Sequence, residues 1–488
     1  MPLALIFDCG ATNIRTIAVS ESGNLIASHH IANETSPDLE SPEYHIWDIE
    51  RIWNALLVCA KNTIAKLNIN GYRNSDIITI GVTTFGVDGA LFNNNLDLQY
   101  PMISWKCPRT KEQVAKLPKL IDIDKFYKRN GIGQYSFNTL YKMLWLKENK
   151  QEIYNNFDYF LFISSIINYR LTGLITTDKT MAGTSMMTNL DSGDWDPEIL
   201  SLLQLDNKQF PKSVSAGDIV GPLTNELTQE LNLPFPPKVV SCGHDTQFAL
   251  FGSGAKLDQP VLSSGTWEIL MLRTKKAQPD SRYLNDGLTT EFDAIDGVFN
   301  PGVQWLGSGV LEWLKNQMFL DIKDSENYYE YIIEAASLIP PGSDGVYFKE
   351  LIDENNQHSF NITGLNIDKN RIQIYRSALE HLSLKLDAGL NILQKISDSK
   401  TDSIICVGGG SKNNLWNQIR ADVLNMPIDI VDMPETTVLG AAMFAFSGVG
   451  FFRSPQEAQD YMAPNKTRIY PSANQEIYKN IFIENGRN

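Results

Sequence analysis

The chain holds 488 residues, 43% hydrophobic and 20% charged, with 33 glycines and 22 prolines spread along it. A single hydrophobic core stops growing near about 250–300 residues, so this length predicts at least two domains, and the composition excludes disorder, collagen and low complexity. With 42 basic and 57 acidic residues the net charge is −15, which offers no general attraction to nucleic-acid phosphates or anionic membranes. Five cysteines, Cys9, Cys59, Cys107, Cys242 and Cys406, form no C-x-x-C pair. They suggest neither a disulfide framework nor a zinc cage, and a reducing cytoplasm is expected. The opening Met-Pro-Leu-Ala-Leu-Ile-Phe lacks a basic region and reaches Asp8 early, so no signal peptide is expected.

In chain order, residues 3–7, 15–20 and 24–30 are short apolar or alternating runs separated by glycine-containing turns, which predicts an antiparallel β-meander. Ile49, Ile52, Trp53, Leu56, Leu57, Ala60, Ile64 and Leu67 then repeat at helical spacing. Ile77 to Val82 reads as a strand buried on both faces. Val261-Leu262, Ser-Ser-Gly-Thr-Trp and Glu-Ile-Leu-Met-Leu repeat the plan of residues 3–19: strand, tight turn, returning strand. A long helix is predicted between Arg371 and Ile396, a buried strand over Ser403–Val407, and a helix from near Asn413. The uncharged run Thr436 to Phe452 is interrupted by Gly440, Gly448 and Gly450, is marginal for a bilayer, and reads as a buried helix. The class is therefore α/β, with two domains of similar topology joined near residues 246–256.

Five segments carry chemistry. DCGATNIR, Asp8 to Arg15, ends a strand on an acid and turns at Gly10, exposing backbone N–H groups and the Thr12 hydroxyl to phosphate oxygens. Asp8 would hold Mg²⁺, with a plain hairpin as the alternative. SSGTWE, Ser263 to Glu268, is a second such turn. CVGGGSKNNLWNQIRADVL, Cys406 to Leu424, runs a strand into three glycines whose bare backbone can lie against a purine or ribose; a structural turn explains them too. In SCGHDTQFALFG, Asp245 could accept a hydroxyl proton during phosphoryl transfer, while His244 could be a satisfied polar residue at a strand end. TTFGVDGALFN places an aromatic, glycines and Asp88 before Trp105 and Lys106, as in a sugar site, and a bulged hairpin explains it equally. No G-x-x-x-x-G-K-[ST] segment is present.

In this order the segments resemble the FGGY family of carbohydrate kinases over nearly the whole chain. FNTLYKMLWLKEN (Phe137 to Asn149) and GLNIDKNRIQIYRSALE (Gly364 to Glu380) are similar to its two signatures, with Phe360 where a small residue is usual. The resemblance implies two actin-like, ribonuclease H-like domains around a central ATP and sugar cleft, over residues 1–250 and 251–488. The first would hold the sugar site and first phosphate loop, the second the nucleotide. It implies phosphorylation of L-fuculose at its 1-hydroxyl with ATP and Mg²⁺, or of another ketose such as L-rhamnulose or D-xylulose. By motif position Asp245 is the general base and Asp8 the metal-associated acid. Gly10, Thr12, Asn13 and Arg15 form the first phosphate loop, and Gly265 and Thr266 the second. Gly408, Gly409, Gly410 and Asn413 lie on the adenosine side, with Gln304 near the nucleotide. Gly86, Asp88, His244, Asp245 and Asn300 would bind sugar. The expected partners are ATP and a small sugar, with no nucleic acid or membrane, and a homo-oligomer is left open.

Overall fold

The computed structural model describes residues 1–352 and 358–484. Its contacts fall into two compact units. The first takes Met1–Gly254, Thr274–Pro301 and Glu435–Pro464, and the second Ala255–Arg273, Gly302–Pro434 and Asn465–Asn488.

The first unit is built on a sheet whose strands lie in the order Ile219–Pro222, Lys238–His244, Ile77–Thr84, Leu3–Cys9, Asn13–Ser20, Leu25–Ala32. The meander expected at the start is present, with both pairings antiparallel. Ile77–Thr84 lies parallel to Leu3–Cys9, and Lys238–His244 parallel to Ile77–Thr84. Leu3–Cys9 is buried at all seven positions, which is why Leu3–Phe7 reads as an unbroken apolar run rather than an alternating one. Helix Ile49–Ile69 is capped by Asp48, whose side chain accepts from Arg51 N at 3.0 Å, and it buries Ile49, Ile52, Trp53, Leu56, Ala60, Ile64 and Leu67 of the predicted face, with Leu57 half-buried.

Helix Thr436–Gly448 is buried along its middle, with Val438, Leu439 and Ala441–Phe446 all at 0% exposure. Among the described residues no helix is long and apolar enough to cross a membrane. This buried helix lies backbone to backbone on helix Asp245–Gly252. A Cβ at Gly252 would stand 1.9 Å from the Thr436 carbonyl, and one at Gly440 would stand 2.0 Å from that of Phe248. Any side chain at either glycine would push apart the helix that begins at Asp245.

The second unit repeats the plan. Its strands run in the order Gly302–Leu306 of the strand Phe299–Leu306, then Trp267–Leu272, Pro260–Ser264, Ile404–Val407, Ile428–Val431 and Lys466–Ile469. Here too a hairpin is followed by two parallel strands and an antiparallel edge. The strand-turn-strand runs noted in the sequence are the opening hairpins of the two sheets. Helix Arg371–Ser397 buries Ile374, Ala378, Leu382, Leu386 and Leu390 as predicted. The large Phe360 ring lies 4.5 Å from that of Trp313 and 5.2 Å from that of Phe348, so its volume is taken up by aromatic contact.

Candidate active site

Asp8 stands opposite Arg15 across the first hairpin. The Arg15 guanidinium reaches Asp8 Oδ2 through Nε at 2.9 Å and through Nη2, while Nη1 holds both oxygens of Glu435 at 2.8 and 2.7 Å. Burial pushes the Asp8 carboxyl up to about 6 against the pull of Arg15, and the charge of Asp245 pushes the same way. The turn after Asp8 is closed by Gly10 N donating to Asn13 O at 2.9 Å, where a Cβ would also meet that oxygen at 2.9 Å. Asn33, which the sequence reading missed, pins the turn. Its backbone N–H donates to Thr12 O at 2.8 Å and its side-chain amide to Gly10 O at 2.9 Å. The Thr12 and Asn13 side chains stay exposed on this fixed backbone.

Strand Lys238–His244 runs directly into helix Asp245–Gly252, which puts Asp245 in the first turn, where the helix dipole favours a negative charge. Burial raises the Asp245 pKa, His244 opposes the rise, and the side chain still keeps 31% of its surface exposed. His244 Nε2 lies 3.5 Å from Asp245 Oδ1. Its Nδ1 lies 3.3 Å from Gln247 Nε2, which also donates to Glu291 Oε2 at 2.5 Å. The Gln247 amide nitrogen thus faces Nδ1, and the imidazole presents Nε2 to Asp245. Asn300 is fully buried and donates to Gln247 Oε1, so it sits one residue removed from His244.

Beneath His244, Thr180 Oγ1 accepts from its backbone N–H at 2.8 Å and donates to Asp178 at 2.5 Å, while Ser241 Oγ donates to the other Asp178 oxygen at 2.6 Å. A Cβ at Gly243 would stand 2.0 Å from Asp178 Oδ1, and one at Gly86 2.7 Å from His244 Nε2. Gly86 therefore lies flat against the imidazole, bringing the segment after strand Ile77–Thr84 to the same place.

Asp88 sits differently from expectation. It is fully buried, and Oδ2 accepts from Trp47 Nε1 at 2.6 Å and from Trp105 N at 2.9 Å, while Oδ1 is ion-paired with Lys142. Asp88 has no exposed surface, and its oxygens face Trp47, the Trp105 amide and Lys142 rather than open space. It supports Trp105 instead, which is 36% exposed and meets Phe137 edge-on at 6.4 Å; Phe137 in turn stacks on Tyr135 at 5.0 Å. Such rings suit the apolar face of a sugar. Lys142 was also missed, and the signal for it was present: it is one charge in Thr139–Leu146, whose eight residues are all buried.

In the second unit the Gly265 and Thr266 carbonyls accept from the backbone N–H groups of Gly307, Ser308 and Gly309 at 2.9–3.1 Å, tying this turn to helix Ser308–Met318. The Thr266 side chain is exposed. Gly408 has φ +90°, and a Cβ there would stand 2.7 Å from Ser264 O; at Gly410 it would stand 2.1 Å from Ser264 Oγ. At Gly409 it would meet no atom within 4 Å, so that face is open. Asn413 caps helix Asn414–Leu424, accepting from Trp416 N at 3.0 Å. Gln304 is half-buried in the strand opposite Ile269. Under these turns lies an ion pair at 0% exposure: Arg420 Nη2 meets Glu268 Oε1, Ser264 Oγ donates to the same oxygen at 2.8 Å, and Trp305 Nε1 donates to Oε2 at 2.9 Å.

Family models of the FGGY carbohydrate kinases match the chain twice, the N-terminal domain over residues 3–252 and the C-terminal domain over residues 261–449. The chain belongs to this family, whose members phosphorylate sugars with ATP. It is 54% identical to an L-fuculokinase of Haemophilus influenzae over 97% of this chain and 100% of that one, and 43% identical to an L-fuculokinase of Escherichia coli over 98% and 99%. The crystal structure of a xylulose kinase from Rhodospirillum rubrum superposes with a TM-score of 0.87 at 20% identity, over 99% of this chain and 97% of that one.

Proposed function

We propose that the chain transfers the γ-phosphoryl group of ATP to the 1-hydroxyl of L-fuculose, giving L-fuculose 1-phosphate and ADP. The observation that carries this is Asp245, a partly exposed carboxylate at a helix N-terminus beside His244, in a chain 54% identical to an L-fuculokinase. As the sugar oxygen bonds to phosphorus and the bridging P–O bond to ADP breaks, Asp245 accepts the hydroxyl proton. The raised pKa of Asp245 suits it to hold that proton. Transfer of this kind is largely dissociative, so the rate rests on alignment and on charge stabilisation.

His244 and Gly86 line the sugar side, with Asn300 acting through Gln247 and Asp88 acting by holding Trp105. Gly10, Thr12, Asn13 and Arg15 present the first phosphate turn, so residues 1–250 carry the first phosphate loop and, apart from Asn300, the sugar side. In residues 251–488, Gly265 and Thr266 contact phosphate, while Gly408, Gly409, Gly410, Asn413 and Gln304 form the nucleoside seat. Asp8 fits Mg²⁺: both Arg15 contacts fall on Oδ2, leaving Oδ1 outside the pair, and Mg²⁺ usually takes one or two carboxylates beside phosphate oxygens and water. When bound, the metal would neutralise charge on the phosphoryl oxygens. A cytoplasmic setting suits five buried free thiols.

The test is ADP release over L-fuculose, L-rhamnulose, D-xylulose and glycerol with a no-sugar control. The expected result is efficient turnover of L-fuculose alone. Efficient turnover of another ketose with none of L-fuculose refutes the substrate.

A further inference from the structure

We infer that Lys142 is a positioning residue of the sugar site, acting through Asp88 and the strained Val87 to fix the indole of Trp105. The inference rests on the reading of Trp105 as part of that site and extends it to a residue on a separate helix.

The residue just before Asp88 is the first observation. Val87 has φ +62°, a left-handed conformation that a β-branched side chain adopts only when its surroundings impose it. What imposes it is visible. The Val87 carbonyl accepts from Thr139 Oγ1 at 2.8 Å and from Lys142 Nζ at 3.2 Å, both on helix Thr139–Asn149. Lys142 Nζ also pairs with Asp88 Oδ1. The other Asp88 oxygen then accepts from the Trp105 amide and the Trp47 indole. Trp47 stacks on Phe85 at 4.8 Å, and the Lys106 ammonium lies 5.5 Å from both the Trp47 and the Trp105 ring.

Lys142 therefore stands at the head of a chain that ends on an exposed aromatic face. Burial opposes the charge on both partners, raising Asp88 and lowering Lys142, so this pair is a costly way to add stability. What it supplies is geometry. One ammonium holds the Val87 carbonyl and the Asp88 carboxylate together, so the carboxylate meets the Trp105 amide at a fixed place. An apolar pair of similar volume could fill the same space but could not define it.

The variants are Lys142→Met, Asp88→Asn, the double Asp88→Asn/Lys142→Met, and Thr139→Val, which removes only one donor to Val87 and is the variant safest for folding. Each is made in full-length protein carrying 5-fluorotryptophan, with Trp105→Phe assigning the Trp105 ¹⁹F resonance. Two things are read: that resonance without ligand, and KM for sugar and for ATP. Lys142→Met and Asp88→Asn are expected to shift or broaden the Trp105 line and raise sugar KM about tenfold or more, with ATP KM held within about twofold. In the double variant the new amide's oxygen can replace Oδ2 and its NH₂ no longer faces an ammonium, so the double should lie nearer wild type than either single. Thr139→Val should show the same split more weakly, and it decides the matter where the single charge variants fail to fold. An unmoved Trp105 line with unchanged sugar KM overturns the inference, as does a parallel rise of both KM values. If wild type turns over a ketose other than L-fuculose, the resonance still reports on Trp105 and sugar KM is taken with that ketose, so the substrate reading fails separately.

Discussion

Arg420→Met tests the support beneath the second unit's turns. Glu268 has three donors, Arg420, Ser264 and Trp305, and neither Glu268 nor Arg420 has any exposed surface. Removing the guanidinium leaves a buried carboxylate with two neutral donors and no counter-charge, a situation that costs about 3–5 kcal/mol. For a unit of this size each kcal/mol moves the melting temperature by about 2–4 °C, so its transition should fall by about 6–20 °C in a calorimetric scan. Methionine still fills part of the space over the Trp416 ring, from which the guanidinium carbon stands 3.7 Å, so a cavity contributes little.

The double variant Glu268→Gln/Arg420→Met sharpens the test. Its introduced carboxamide would keep an acceptor for Trp305 and offer Ser264 an NH₂ group, so both charges leave together and most of the loss should return, with a coupling of about 2–4 kcal/mol. Because Ser264 is the residue that Gly408 and Gly410 approach, Arg420→Met should also raise ATP KM while leaving sugar KM in place. If Arg420→Met melts like wild type, or the double melts as low as the single, the pair does not support these turns.

Asp245→Asn should leave ATP and sugar binding nearly intact and lower turnover about 10²- to 10⁴-fold; near-normal steady-state turnover excludes it as the base. Asp8→Asn should raise the Mg²⁺ concentration needed for half-maximal rate, and an unchanged metal titration makes Asp8 structural. His381 accepts from Glu350 N at 3.2 Å, and burial, with Lys385 and Lys349 beside it and Glu350 opposing, depresses it to about 4. It is therefore neutral when folded, and its contribution, up to about 3 kcal/mol, is present above its unfolded value of 6.5 and lost as pH falls toward 4. His381→Gln, which keeps an acceptor, should flatten the melting temperature between those pH values, and an unaltered pH slope would show that His381 is not its source.

The elements were legible wherever burial has a period. Leu3–Phe7 is unbroken because the strand is central, and Ile49–Leu67 repeats at helical spacing because one face of the helix is covered. The run from Thr436 could be read as buried for want of charge. Its seat on helix Asp245–Gly252 could not, because that contact depends on Gly252 and Gly440 facing each other across nearly two hundred residues of chain, and either glycine alone looks like a turn or a weak helix position.

The site was legible in its turns and less so in its charges. A turn is local: Gly10 and Asn13 close theirs within four residues, and the exposed Thr12 follows from that closure. Buried charges are paired across the fold. Arg15 finds Glu435 at a separation of 420 residues, Arg420 finds Glu268 at 152, and Lys142 finds Asp88 at 54. A lone lysine among buried neighbours does predict a hidden acid, since an unpaired ammonium there would lose its charge, yet the spacing says nothing about which acid. Asp88 shows the consequence. An acid beside glycines and ahead of a tryptophan reads as a sugar ligand because its type is right. A carboxylate can accept from a substrate only where the substrate reaches it, and Asp88 has no exposed surface and faces Lys142, Trp47 and the Trp105 amide, so in the proposed reading its contribution to sugar binding is the placement of Trp105.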